Sequence, residues 1–181
     1  MAKRQNQQNS ATVIRICKME LAKRRIGYCR YMARKILQDT KLVEVPVPIE
    51  KIVDHYGFRV AYLDQPPDQF SGILHRGKKA IGINKNHHLF RQRFSLAHEL
   101  GHYFLEHPDA EEEIPDSENS TLFTCYEKEA DEFAGELLVP KDLLKQTFSK
   151  IPDIDSLRSK FQVSQQVIII QISKYGLLMN Q

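Results

Sequence analysis

The stretch His98-Glu99-Leu100-Gly101-His102 constrains the whole chain. On an α-helix residues four apart lie one above the other, so the two imidazoles can meet a single metal ion from one face. Glu99 is turned about 100° from them, poorly placed as a third ligand but able to reach a water beside the histidines. Phe94, Ala97, Gly101, Phe104 and Leu105 gather in one apolar sector with the histidines at its edge, where a half-buried helix faces a cleft. Pro108 ends the run, because proline disfavours helix in the residue before it. Gly101 costs about 1 kcal/mol relative to alanine in a helix interior, which predicts the close approach of a neighbouring helix.

Zinc held by two histidines with one open position needs a third protein ligand. The segment from Thr124 to Pro140 reads as a second helix with five acidic residues. Ala130, Ala134, Leu137 and Leu138 define its apolar face, with Glu127 and Asp131, four apart, on the flank. Glu129, Glu132 and Glu136 line the opposite side and read as a solvated stripe. Glu127 is therefore expected as the third ligand, and Asp131 as the acceptor that orients a ligand histidine. Two alternatives stay open: Thr124-x-x-Glu127 has the form of a capping box, and Glu129 stands near enough to replace Glu127. The first motif alone arises by chance in helical sequences, and the acidic segment downstream gives it weight.

The run Arg91-x-Arg-Phe-Ser-Leu-Ala-His-Glu-Leu-Gly-His102, followed by Glu127-x-x-Ala-Asp131-x-Phe-Ala-x-x-Leu-Leu-x-Pro140, resembles the ImmA/IrrE family of bacterial zinc metallopeptidases. Weaker likeness in Val47-Pro-Ile-Glu-Lys-Ile52, Phe70-Ser-Gly72 and Ile81-Gly-Ile-Asn84 extends it over about residues 30–140. The resemblance implies one zinc ion per chain on His98, His102 and Glu127, with Glu99 as catalytic base. It also implies a protein substrate, commonly an Xre-like helix–turn–helix repressor whose cleavage switches on mobile-element or stress genes. The family more often carries Asn where this chain has Asp131 and Met where it has Val139. Glutamate followed four residues later by aspartate is shared with the thermolysin-like pattern.

A chain of 181 residues is ample for one core. It has no run of 18 apolar residues to span a membrane, and the polar opening Met1–Ser10 offers no signal peptide, so a cytoplasmic protein is expected. Cys17, Cys29 and Cys125, odd in number and far apart, fit reduced thiols. The net charge of +3 hides an asymmetry: residues 1–41 carry eleven Lys/Arg against two Asp/Glu, the remainder fifteen against twenty-one. The basic part reads as a helix from Thr12 to Leu37, with Ala22, Ile26, Cys29, Ala33, Ile36 and Leu37 in register. Its cations read as a solvated face, docked on the acidic segment after His107, in preference to a nucleic-acid site, because aromatic interleaving stops at Tyr28 and Tyr31.

Val45–Pro48 reads as an extended linker, followed by a short helix with Ile49, Ile52, Val53 and Tyr56 on one stripe. Three strands are predicted: Phe58–Leu63, Phe70–His75 and Lys79–Asn84, forming one wall of the cleft with an edge that can take a peptide as an added strand. His87 and His88 read as loop residues, and the acidic stretch from His107 to Thr124 as a loop or lid. In the tail, Leu157 and Phe161 on one helix and Ser164 capping the next suggest a helix–turn–helix module for packing, although Val167–Ile170 would also tolerate a strand. The predicted fold class is α+β and zincin-like: a small antiparallel or mixed sheet packed on the metal-binding helices, with helical extensions at both ends. The expected division is a disordered tail (1–12), a basic helical region (13–44), the peptidase core (45–150) and the terminal module (151–181).

The expected chemistry is peptide hydrolysis with Glu99 moving the proton and Tyr126 or Tyr103 donating to the oxyanion. The rival is a DNA- or protein-binding regulator, antitoxin-like, that retains zinc. An incomplete ligand sphere and an intact Glu99, which a structural site does not need, stand against it.

Overall fold

The computed structural model describes residues 25–108 and 116–178, with side chains from residue 125 onward in the second range. Its elements are helix α1 over residues 25–40, α2 (Ile49–His55), β1 (Arg59–Leu63), β2 (Gly72–His75), β3 (Ala80–Asn84), α3 (Leu89–Phe104), α4 (Asp116–Leu138), α5 (Lys141–Phe148), α6 (Ile154–Phe161) and α7 (Gln165–Lys174). This is the α+β architecture expected, with helices on both sides of the sheet-forming segment in sequence.

The sheet runs β1-β3-β2. β1 lies parallel to β3, Arg59 facing Ala80, and β2 antiparallel to it, Gly72 facing Ile83. Strand alternation sends Ile81 and Ile83 of the central strand fully into the core. A 3₁₀ turn at Arg76–Lys78, with Lys79 left-handed at φ 44°, closes the β2–β3 connection. Asn84, fully buried, ties down the preceding loop by donating to the carbonyls of Pro66 and Phe70, 3.0 Å each.

α3 is packed between this sheet and α4. Leu96, Ala97 and Leu100 are buried, and a Cβ at Gly101 would meet Ala130 Cα and Phe133 Cδ1 at 3.1 Å. The missing side chain lets the two helices touch, as the cost of a mid-helix glycine predicts. Val45–Pro48 is no free linker: Val47 is fully buried and its carbonyl accepts from Arg93 Nη2 at 2.7 Å. His87 is buried rather than solvated, its Nε2 2.8 Å from the Pro67 carbonyl, and His88 caps α3 by accepting from Phe90 N.

Two expectations about the acidic segments change. α4 begins at Asp116, so much of the expected loop after His107 is helix, residues 109–115 lying outside the described ones. Thr124 is therefore inside the helix, and the capping-box reading of Glu127 falls with it. The stripe Glu129, Glu132, Glu136 is not solvated: Arg25 Nε reaches Glu129 at 2.9 Å, Arg30 Nε reaches Glu132 at 2.5 Å, and Arg34 Nε reaches Glu136 at 2.8 Å. Glu136 is fully buried, and a buried carboxylate persists only when paired. The opposite face of α1 puts Cys29, Ala33, Ile36 and Leu37 in the core. The expected helix at residues 12–24 and the tail before it, Cys17 included, lie outside the described residues.

The tail forms the expected helix pair. Asp153 caps α6, Ser164 caps α7, and Leu157 and Phe161 are fully buried. Residues 167–170 are helical, which removes the strand alternative. α7 is fastened to α4 by Lys174 Nζ to Glu132 at 2.7 Å and by the Tyr175 hydroxyl donating to Glu136. Among the described residues no helix is long and apolar enough to cross a membrane.

Candidate metal centre

The contact of α3 with α4 at Gly101 sets Glu127 and Asp131 beside the histidines one turn away. His98 Nε2 and His102 Nε2 are 2.9 Å apart, and the Glu127 carboxylate lies 3.2 Å from the first and 3.3 Å from the second. One ligand atom from each of the three residues falls within 4.8 Å of the others, the spacing a single ion spans. Asp131 Oδ1 is 3.0 Å from His98 Nδ1. A carboxylate only accepts, so Nδ1 carries the hydrogen and Nε2 is left to face the group.

The donor set fits a cation. Two imidazole nitrogens and a carboxylate pointed at one spot are acceptors that repel unless a proton or a metal lies between them. Burial alone would lower the pKa of His98, but hydrogen bonds to Asp131 and Glu127 outweigh it and hold the group at about 9. Glu127 is held well below the usual carboxylate range by its hydrogen-bonding contacts with His102 and His98.

Glu99 stands apart from the ligand atoms on the side of the sheet. A Cβ at Gly72 would lie 2.7 Å from Glu99 Oε1, so the first residue of β2 must be glycine for the carboxylate to occupy its place. Burial raises the Glu99 pKa against the opposing pull of His98 and His102. Ser71 Oγ, next in the chain, accepts from Arg91 Nη2 at 2.8 Å, which fixes the strand to the start of α3.

The far end of α3 carries a group that sequence reasoning passed over. The helix closes in a Schellman turn: His107 N donates to His102 O at 3.1 Å and Glu106 N to Tyr103 O at 3.2 Å, with Glu106 left-handed at φ 56°. Arg76 Nη2 donates to the carbonyls of both His102 and His107. His107, 2 % exposed, is thereby folded back under the helix, its Nδ1 3.1 Å from His102 Nδ1 and its Nε2 3.0 Å from Glu129 Oε2. The available signal was a histidine five residues past His102, at a helix end. Glu129 contacts His107 and Arg25 and stands outside the group of His98, His102 and Glu127, reaching it through His107 and His102.

Of the two tyrosines, Tyr126 lies against His107, ring centroids 4.7 Å apart. Tyr103 packs among Phe58, Phe104 and Arg76 instead. Cys125 is half-buried and outside the ligand group.

A peptidase family profile described as the IrrE N-terminal-like domain matches residues 53–173, two thirds of the chain. The chain belongs to the IrrE N-terminal-like family. This agrees with the resemblance carried by the two motifs. Comparison with curated proteins gives no match. Among solved structures, a Mycobacterium tuberculosis transcriptional regulator is similar, with a TM-score of 0.62 and 18% identity over 80% of this chain and 46% of that one. At that identity the likeness speaks for the IrrE-like fold, and this chain spans less than half of the regulator's length.

Proposed function

We propose that the protein is a zinc-dependent endopeptidase that cleaves a protein substrate, an Xre-like helix–turn–helix repressor, and so derepresses mobile-element or stress genes. The observation that carries this is the convergence of His98, His102 and Glu127 on one point with the half-buried carboxylate of Glu99 beside it. Zinc in such a set supplies a Lewis acid that polarises a peptide carbonyl and acidifies a water. Glu99 accepts the proton of the attacking water and delivers it to the leaving amine, a transfer that its raised pKa favours. Asp131 holds the His98 ring in place through Nδ1. The outer edge of β2 pairs with no strand among the described residues and begins at Gly72, beside Glu99, so a substrate added as a strand brings its backbone to the base. Tyr126, whose ring lies against His107, and Tyr103 are the proposed oxyanion donors.

The test is metal content by mass spectrometry together with cleavage of a co-expressed candidate repressor. Zinc in wild type and Glu99→Gln, cleavage in wild type alone, and loss of stoichiometric zinc in Glu127→Gln are the expected results. Undiminished cleavage by Glu99→Gln, or zinc retained by Glu127→Gln, refutes the assigned roles.

A second reading, a binding regulator that retains zinc, draws on the name of the similar regulator. Zinc in both forms with cleavage in neither favours it. Direct reading of DNA by the basic helix is disfavoured, because Arg25, Arg30 and Arg34 are spent on the glutamates of α4.

A further inference from the structure

A relay of polar groups runs from the surface of α1 to the candidate metal centre. Arg25 Nε lies 2.8 Å from one oxygen of Glu129, the other oxygen of Glu129 lies 3.0 Å from His107 Nε2, and His107 Nδ1 lies 3.1 Å from His102 Nδ1. Each link dictates the next. The Glu129 carboxylate can only accept, so His107 Nε2 donates; a neutral imidazole that donates at Nε2 accepts at Nδ1; His102 Nδ1 then donates, against the competing pull of Glu127 Oε1 3.3 Å from its Nε2, and its Nε2 keeps a lone pair. That lone pair points at the position shared with His98 and Glu127. Asp131 does the same for His98 with one residue.

We propose that His107, held by Glu129 and Arg25, is the positioning residue that fixes the ring and tautomer of His102 for metal binding. The proposal rests on the metal-centre reading above and adds to it a dependence on α1, an element outside the family-matched segment. The burial of both groups suits such a part: His107 is 2 % exposed and Glu129 7 %. Neither contributes an atom to the ligand group, so the energy of enclosing them is explained by what they hold. Ligand histidines are as a rule oriented by an acceptor on the ring nitrogen that does not bind metal, and losing that acceptor costs about 10–100-fold in affinity.

The experiment reads the tautomer of His102 in the metal-free protein by long-range proton–nitrogen NMR, the signal assigned by its loss in His102→Gln, and zinc affinity by chelator competition. The wild type is expected to show His102 as a single Nδ1–H tautomer. His107→Phe, which keeps a ring but no acceptor, and Glu129→Gln, whose amide can donate and so reverse the relay, are expected to abolish that preference and weaken zinc about 10–100-fold. His107→Gln restores an acceptor and is expected to recover most of the affinity. A mixed or Nε2–H tautomer in the wild type overturns the proposal, as does wild-type zinc affinity in folded His107→Phe and Glu129→Gln. If either variant fails to melt cooperatively, the wild-type tautomer decides alone. A wild type that takes up no zinc overturns the function reading, while the tautomer still decides the positioning.

Discussion

A Cβ on residue 72 would have to share space with the Glu99 carboxylate, whose Cγ also lies only 3.0 Å from that point. The carboxylate is the movable party, so Gly72→Ala is expected to fold and bind zinc normally while repacking Glu99, with cleavage lowered at least tenfold; cleavage at the wild-type rate shows that the base does not need this position. A proton balance gives a second prediction. His98 is raised from 6.5 to about 9, so the metal-free protein carries this proton at pH 7 and must surrender it when a metal takes Nε2. Calorimetry in two buffers of different ionisation enthalpy should therefore show His98 contributing close to one released proton per zinc at pH 7, a contribution that fades as pH rises through about 9. The same shift has a stability consequence with a fixed sign. Because the folded pKa exceeds the unfolded one, the contribution is complete below about 6.5 and is lost as pH rises through about 9, in the metal-free form only. Buried Cys29, pushed up to about 12 chiefly by desolvation, stays a thiol across that range.

The pairing of α3 with α4 rests on backbone contact at Gly101, where a Cβ would meet the Ala130 carbonyl oxygen at 3.2 Å as well as its Cα. Alanine there gains about 1 kcal/mol of helix propensity but forces two backbones apart, which costs about 1–3 kcal/mol. Gly101→Ala is thus expected to lower the urea midpoint slightly and to weaken zinc more than stability, since α4 carries Glu127; a variant with unchanged zinc affinity would show that the crossing is not what sets the ligand distance. This part of the molecule was the most legible in advance. Helical period marked the face of α3, the cost of Gly101 announced a neighbour, and the four-residue spacing of Glu127 and Asp131 placed them on one flank. What the period could not convey was which partner the other flank meets. Glu129, Glu132 and Glu136 form a polar stripe whether water or arginine covers it, and only the distant residues Arg25, Arg30 and Arg34 decide. His107 was hidden for a related reason: the Schellman turn that folds it back uses a left-handed glutamate where a glycine would have signalled the reversal.

α1 lies ahead of the family-matched residues 53–173, yet it supplies four fully or nearly buried core residues and three of the arginine partners of α4. Each large aliphatic side chain withdrawn from the core removes about 1.5–3 kcal/mol, and unpairing buried carboxylates adds to that, against a total stability of about 5–15 kcal/mol for a domain. A chain shortened to begin at residue 45 is therefore expected to lose its cooperative thermal melt, whereas one melting within a few degrees of the full protein would mean that α1 is an appendage. The pairing of Arg25 with Glu129 spans 104 positions in sequence. During synthesis at about 5–20 residues per second, the basic helix leaves the ribosome roughly 5–20 s before the carboxylates that neutralise it. For that interval its cations are offered to whatever anion is nearest, ribosomal RNA included, and the ligand group closes only once Glu127 has emerged to a helix already waiting for it.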